Sequence, residues 1–130
     1  MRLAVRLARE TKSGINELKE ILKSEPLYSG LNLTNGFVVN QAYLETKNSD
    51  WEMVIKNPRI PKDNIDKKNL ELQTNLDLSQ ETIDGINELK KILPQYLPKV
   101  SYVTTSYVIR IIVRSALLKK NGELKLDNKE

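Results

Sequence analysis

The sequence predicts a mainly α-helical fold in which two short strands each precede a pair of helices. Three observations predict it. Residues 10–22 (ETKSGINELKEIL) recur 71 positions later as residues 81–93 (ETIDGINELKKIL), with 10 of 13 positions identical. A short alternating stretch precedes each copy, and an apolar run behind a Thr/Asn/Ser cluster follows each. Alternation at period 2 is a strand signal, and apolar positions three and four apart signal an amphipathic helix. A match this close in so short a chain argues for duplication.

The first strand is Leu3-Ala4-Val5-Arg6-Leu7, and the second, at the same offset, is Thr74-Asn75-Leu76-Asp77-Leu78. If Leu3, Val5 and Leu7 face a core, then Arg2, Ala4 and Arg6 face out; in the second strand the outward set is Gln73, Asn75 and Asp77. The first helix of each copy is expected over 10–23 and 80–93. There Ile15, Leu18, Ile21 and Leu22, and again Ile86, Leu89, Ile92 and Leu93, are spaced as one apolar face. Ser79 or Gln80, with Asp84, gives the second copy a cap-like start, and Pro94 ends that helix or kinks its last turn. Gly14 and Gly85 sit inside these helices, where glycine costs about 1 kcal/mol against alanine. Two glycines at matching positions point to close packing.

The second helices are expected over 35–46 and 105–120. Thr34-Asn35-Gly36-Phe37-Val38 is laid over Thr105-Ser106-Tyr107-Val108-Ile109 at the offset of 71, each opening behind a capping residue. Val108, Ile109, Ile111, Ile112, Val113, Ala116 and Leu117 are apolar nearly all round, which predicts a helix buried on most sides. The chain therefore divides into repeat 1 (1–45), a polar linker (46–70), repeat 2 (71–120) and a polar tail (121–130). Within the linker, Trp51, Met53, Val54 and Ile55 predict an extra turn or short helix on the core. Pro58, Pro61 and the charged run 62–69 mark connecting chain.

Composition narrows function. The 130 residues are 39% apolar and 29% charged, enough for one domain with a core. There is no cysteine and no histidine. This excludes disulfides, thiolate nucleophiles, Cys- or His-ligated zinc, and Ser-His or Cys-His catalysis. No enzyme activity, cofactor or metal is expected. Glu17 with Glu20, and Glu81 with Asp84, are carboxylates at helical spacing, but they read as solvated helix faces. The net charge of +4 permits a nucleic-acid partner without demanding one. No apolar run reaches the roughly 18 residues of a membrane helix, and Arg6 and Arg9 interrupt any signal-peptide core. A soluble cytoplasmic protein without a membrane partner is expected.

Val5-Arg6-Leu7 followed by Ile15 and Leu18, Leu76-Asp77-Leu78 followed by Ile86 and Leu89, and Thr105-Ser106-Tyr107-Val108-Ile109-Arg110 together form a pattern. It resembles the ribbon-helix-helix family of MetJ/Arc type, over residues 2–45 and 72–118. The two-copy form is similar to tandem members among TraY-type conjugation proteins and regulators of archaeal viruses and plasmids. The resemblance implies that the two strands pair as an antiparallel β-ribbon and the four helices intertwine, so that one chain forms an intrachain pseudo-dimer. The chain departs from the family in longer helix connections (24–33 and 94–104), in Ala4 at the centre of the first strand, and in Asp77. The family favours arginine or another base-reading polar group at the last of these.

The family binds double-stranded DNA, with the ribbon in the major groove and the start of each second helix on a phosphate. Carried onto this chain, the base-reading set is Arg2, Ala4, Arg6, Gln73, Asn75 and Asp77. The phosphate set is Thr34, Asn35, Thr104, Thr105 and Ser106. The chemistry suits each: arginine donates to guanine O6/N7, Asn or Gln bonds adenine N6/N7, Asp accepts from cytosine N4, and Ala meets a thymine methyl. The plainer alternatives are a solvated exposed strand and ordinary helix caps. Residues 1–45 carry six basic against five acidic groups, and 71–118 five of each, so unspecific DNA affinity is expected to be weak. Lys12, Lys47, Lys56, Arg59, Lys62, Lys67, Lys68, Lys119 and Lys120 add to this inventory. The expected function is a sequence-specific transcriptional regulator. The alternatives are a conjugation or partition accessory, or an antitoxin-type module binding a protein through 46–70 or the tail. Two tandem chains are expected to associate, at least on DNA.

Overall fold

The structure, a computed structural model, describes residues 2–57 and 71–122, with 71–74 described by their backbone. Its elements are strand β1 (Arg2–Ala8), helices α1 (Arg9–Lys23), α2 (Asn35–Thr46) and α3 (Trp51–Ile55), strand β2 (Glu71–Asp77), helix α4 (Gln80–Ile92), a 3₁₀ turn (Leu93–Tyr96) and helix α5 (Thr105–Lys120). The chain is thus mainly helical with one two-stranded sheet. Linker residues 58–70 and the tail from 123 lie outside the described residues.

β1 and β2 pair antiparallel within the one chain, Arg2 opposite Asp77, Ala4 opposite Asn75 and Arg6 opposite Gln73. Alternation sets their faces: Val5, Leu7, Leu76 and Leu78 are buried, and Leu3, near the strand's start, is half-buried. A lone two-stranded sheet is marginal in water. Here the helices cover its apolar face, with Leu7 and Leu76 fully buried among Val38, Val108, Ile109 and Ile112 in one core cluster. Each such aliphatic side chain contributes about 1.5–3 kcal/mol by leaving water.

The second helices start where their caps allow. Thr34 accepts from the Phe37 amide and Thr104 from the Tyr107 amide, both at 3.1 Å. The caps are 70 residues apart, so the expected offset of 71 is corrected here: Thr34 corresponds to Thr104 and Phe37 to Tyr107. The second copy crosses with one residue fewer, and its connection opens on the 3₁₀ turn with Pro94 in its first positions.

The corrected offset exposes a matching contact. A Cβ at Gly14 on α1 would lie 2.6 Å from Val113 Cγ1 on α5, and one at Gly85 on α4 would overlap the Tyr43 ring on α2. Gly14 and Gly85 are equivalent at offset 71, and Tyr43 and Val113 at offset 70. The first helix of each copy therefore crosses the second helix of the other, and the glycines let the axes come close. α2 and α5 pack on one another between them. The linker adds α3, capped by Asp50 on the Met53 amide at 3.2 Å, which buries Trp51 and Val54. Among the described residues no helix is long and apolar enough to cross a membrane.

Candidate nucleic-acid interface

The outer face of the ribbon is the polar one. Arg2, Ala4, Arg6, Asn75 and Asp77 are all exposed there. Gln73 holds the register position opposite Arg6; its side chain lies outside the described residues. The register places Ala4 and Asn75, equivalents in the two copies, directly across from each other. The ribbon is therefore centred on that pair, and Arg2–Asp77 and Arg6–Gln73 form its two ends.

Each end is flanked by the start of a second helix. At one, Ser106 in the first turn of α5 donates its hydroxyl to the Arg6 carbonyl at 2.5 Å. At the other, a Cβ at Gly36 in the first turn of α2 would lie 2.6 Å from the Asp77 carbonyl oxygen and 2.8 Å from its amide nitrogen. One turn further on, Asn40 Oδ1 accepts from the Ser79 amide at 3.0 Å. Ser106 and Gly36 are equivalent at offset 70, and Arg6 and Asp77 at offset 71. Both helix starts are therefore held against the strand of the other copy.

The expected phosphate set is brought to these two places, with a difference among its members. Thr34 and Thr104 are exposed, and their side-chain oxygens accept from the third helical residue. The amides of Asn35, Gly36, Thr105 and Ser106 are those a helix leaves without an intrahelical acceptor. The Ser106 hydroxyl proton is committed to Arg6, so this side chain serves as a strand tie.

Several lysines counted toward DNA affinity have acidic neighbours. Lys47 meets Glu81 at 3.1 Å, Lys56 meets Glu52 at 3.0 Å, and Lys120 meets Glu45 at 3.1 Å. Lys119 donates to the Glu45 carbonyl at 3.0 Å. The exposed pairs Lys47–Glu81 and Lys56–Glu52 contribute about 0–1 kcal/mol each, whereas Lys119 and Lys120 are half-buried against α2. Arg59, Lys62, Lys67 and Lys68 lie outside the described residues.

Sequence reasoning missed a part-buried ionic cluster that joins α1 to α5. Glu10 accepts from Arg110 Nε at 2.7 Å and from Arg114 Nε and Nη2 at 2.8 and 2.9 Å. Arg114 also donates from Nη1 to the Val54 and Ile55 carbonyls, both at 3.1 Å, fastening α3 to α5. Burial pushes the Glu10 carboxyl up, but the hydrogen bonds and charges of Arg114 and Arg110 outweigh it and hold the group below its ordinary value. The signal was present in the sequence. Arg110 and Arg114 interrupt the nearly apolar run 108–118 of α5, which carries no acidic residue, so an arginine buried there needs a counter-ion from another element.

Comparison with protein-family models finds no match to the chain. Comparisons with curated proteins and with solved structures likewise find none.

Proposed function

We propose that the chain is a tandem ribbon-helix-helix pseudo-dimer that binds double-stranded DNA in a sequence-specific manner and acts as a transcriptional regulator. The observation that carries this reading is the ribbon itself. Strands from two repeats pair about a central Ala4–Asn75 step, with Arg2, Arg6, Asn75 and Asp77 exposed on the face away from the core. A two-stranded ribbon fits the major groove of B-DNA. The crossing of each first helix over the other repeat's second helix supports the pseudo-dimer, and the two helix starts flanking the ribbon support phosphate clamping.

The test is selection from a random duplex library with the purified chain, followed by methylation interference at guanine N7. Enrichment of a motif whose binding is blocked by N7 methylation is the expected result. Absence of any enriched motif overturns the reading.

Self-association is a second element of the proposal. Leu27 and Leu31 are 75% and 54% exposed, beside the half-buried Tyr28 and Phe37, in the connection between α1 and α2. An exposed apolar cluster of this kind favours contact with a second chain. Light scattering of the free protein and of its DNA complex should show two chains in at least the latter; a single chain in both states contradicts it.

A further inference from the structure

Arg6 and Asp77 occupy the same place in the two repeats, 71 residues apart, and their partners across the ribbon are Gln73 and Arg2. Both are exposed on the outer face, and each has its backbone held by the opposite repeat's second helix, Arg6 by Ser106 and Asp77 by the close approach of Gly36. Arginine is a donor with no acceptor; an ionised aspartate is an acceptor with no donor. One pseudo-equivalent pair of positions thus carries opposite hydrogen-bonding polarity and opposite charge on scaffolds anchored in the same way.

We infer that the Arg6/Asp77 inversion makes the target site non-palindromic at one defined pair of positions, with guanine under Arg6 and cytosine under Asp77. This rests on the DNA-binding reading above and deepens it. In a palindrome, bases related by the two-fold axis are identical. A ribbon with arginine at both places would read guanine in both half-sites. Asp77 inverts that demand. The amino groups of cytosine N4 and adenine N6 are donors it accepts from, whereas guanine O6 and thymine O4 are acceptors that it repels. Repulsion of the wrong base is itself a source of specificity. The same carboxylate opposes the phosphate backbone, so Asp77 lowers affinity for every sequence while sharpening choice at one base pair. Arg2, directly across the ribbon, adds donors beside that acceptor. A donor group next to an acceptor matches the edge of a G·C pair, where guanine presents two acceptors beside the cytosine amino group.

The experiment is random-duplex selection with three proteins: the full chain, Asp77→Arg and Asp77→Asn, each first checked for folding by circular dichroism melting. The full chain should enrich a motif that breaks two-fold symmetry at the predicted pair. Asp77→Arg should convert that position to guanine and make the pair palindromic. Asp77→Asn, close in shape, should move preference toward adenine, tighten binding to scrambled duplex and reduce discrimination at that base pair about tenfold. If Asp77→Arg fails to fold, the Asp77→Asn arm decides alone. A full-chain motif that is already palindromic there, or variants that select the unchanged motif, overturns the inference and leaves DNA binding standing. No enriched motif with any of the three proteins overturns the DNA-binding reading, and the inference falls with it.

Discussion

Ser106 ties the start of α5 to the ribbon by donating its hydroxyl to the backbone carbonyl of Arg6 at 2.5 Å, across 100 positions of sequence. Its counterpart Gly36 achieves the same approach at the other end with no side chain, against the backbone of Asp77. The two ends should respond differently to alanine. Ser106→Ala removes one hydrogen bond and should cost about 1 kcal/mol. Gly36→Ala drives a methyl into backbone that cannot move aside, and overpacking of this kind costs about 1–3 kcal/mol. Chemical denaturation of both variants checks the order; an equal or reversed ranking contradicts the packing described.

Ala8 is a weak helix cap. It precedes α1 with φ −68° and ψ 164° and makes no side-chain cap, whereas its equivalent Ser79, at φ −68° and ψ 158°, accepts from the Thr82 amide. Ser79 also bonds the Thr82 hydroxyl at 3.0 Å, while the buried Thr11 hydroxyl, equivalent to it, has no hydrogen-bond partner among the described residues. Ala8→Ser should therefore stabilise the protein by about 1 kcal/mol. A melting temperature that does not rise would show that the two helix starts are not equivalent.

Glu10 carries a pH dependence. Its folded-state value is held below the ordinary 4.5. A carboxyl with a depressed folded value contributes stability that is present above the unfolded value and is lost as pH falls through the folded one. At neutral pH, Glu10→Gln leaves the guanidinium of Arg114, which is 4% exposed, without its counter-ion, and should cost about 3 kcal/mol. The difference between the two proteins should shrink as pH drops from about 5 towards 2 in a denaturation series. A constant difference over that range contradicts the ionic role.

Gly14 and Gly85 provide an internal comparison. Either change to alanine gains about 1 kcal/mol of helix propensity. At Gly14 the new methyl meets Val113, a buried and stiff β-branched side chain. At Gly85 it meets the ring end of Tyr43, which is only half-buried. Gly14→Ala should be net destabilising by about 1 kcal/mol or more, and Gly85→Ala should be milder. Thermal unfolding of the pair tests the ranking.

Much of this fold was legible because the chain states it twice. The GINELK core fixed both first helices, alternation at Leu3, Val5 and Leu7 fixed the strand faces, and the unbroken apolar run in α5 announced its burial. The bounds of α5 were legible at 105–120, but the second helices were overlaid at offset 71 rather than 70 because Thr104 and Thr105 are both good caps, and the structure uses Thr104. The Glu10–Arg114 cluster was missed because it joins residues 104 positions apart, and a periodicity argument sees only one element at a time. The candidate site was legible as a face. The anchoring of its two ends by Ser106 and Gly36 was not, because a serine and a glycine in matching places look unrelated until the offset of 70 is known.

The central claim is that the ribbon reads bases, and Arg6 tests it most directly. The measurement is a binding titration of the full chain and Arg6→Ala against the preferred duplex and a scrambled one, at two salt concentrations. Arg6→Ala should lose about 1–3 kcal/mol on the preferred duplex, little on the scrambled one, and discrimination at one base pair. Lys12→Ala should at most weaken both duplexes alike and flatten the salt dependence. Equal losses on both duplexes would make Arg6 a phosphate contact, and no loss on either would mean that the ribbon does not enter the groove.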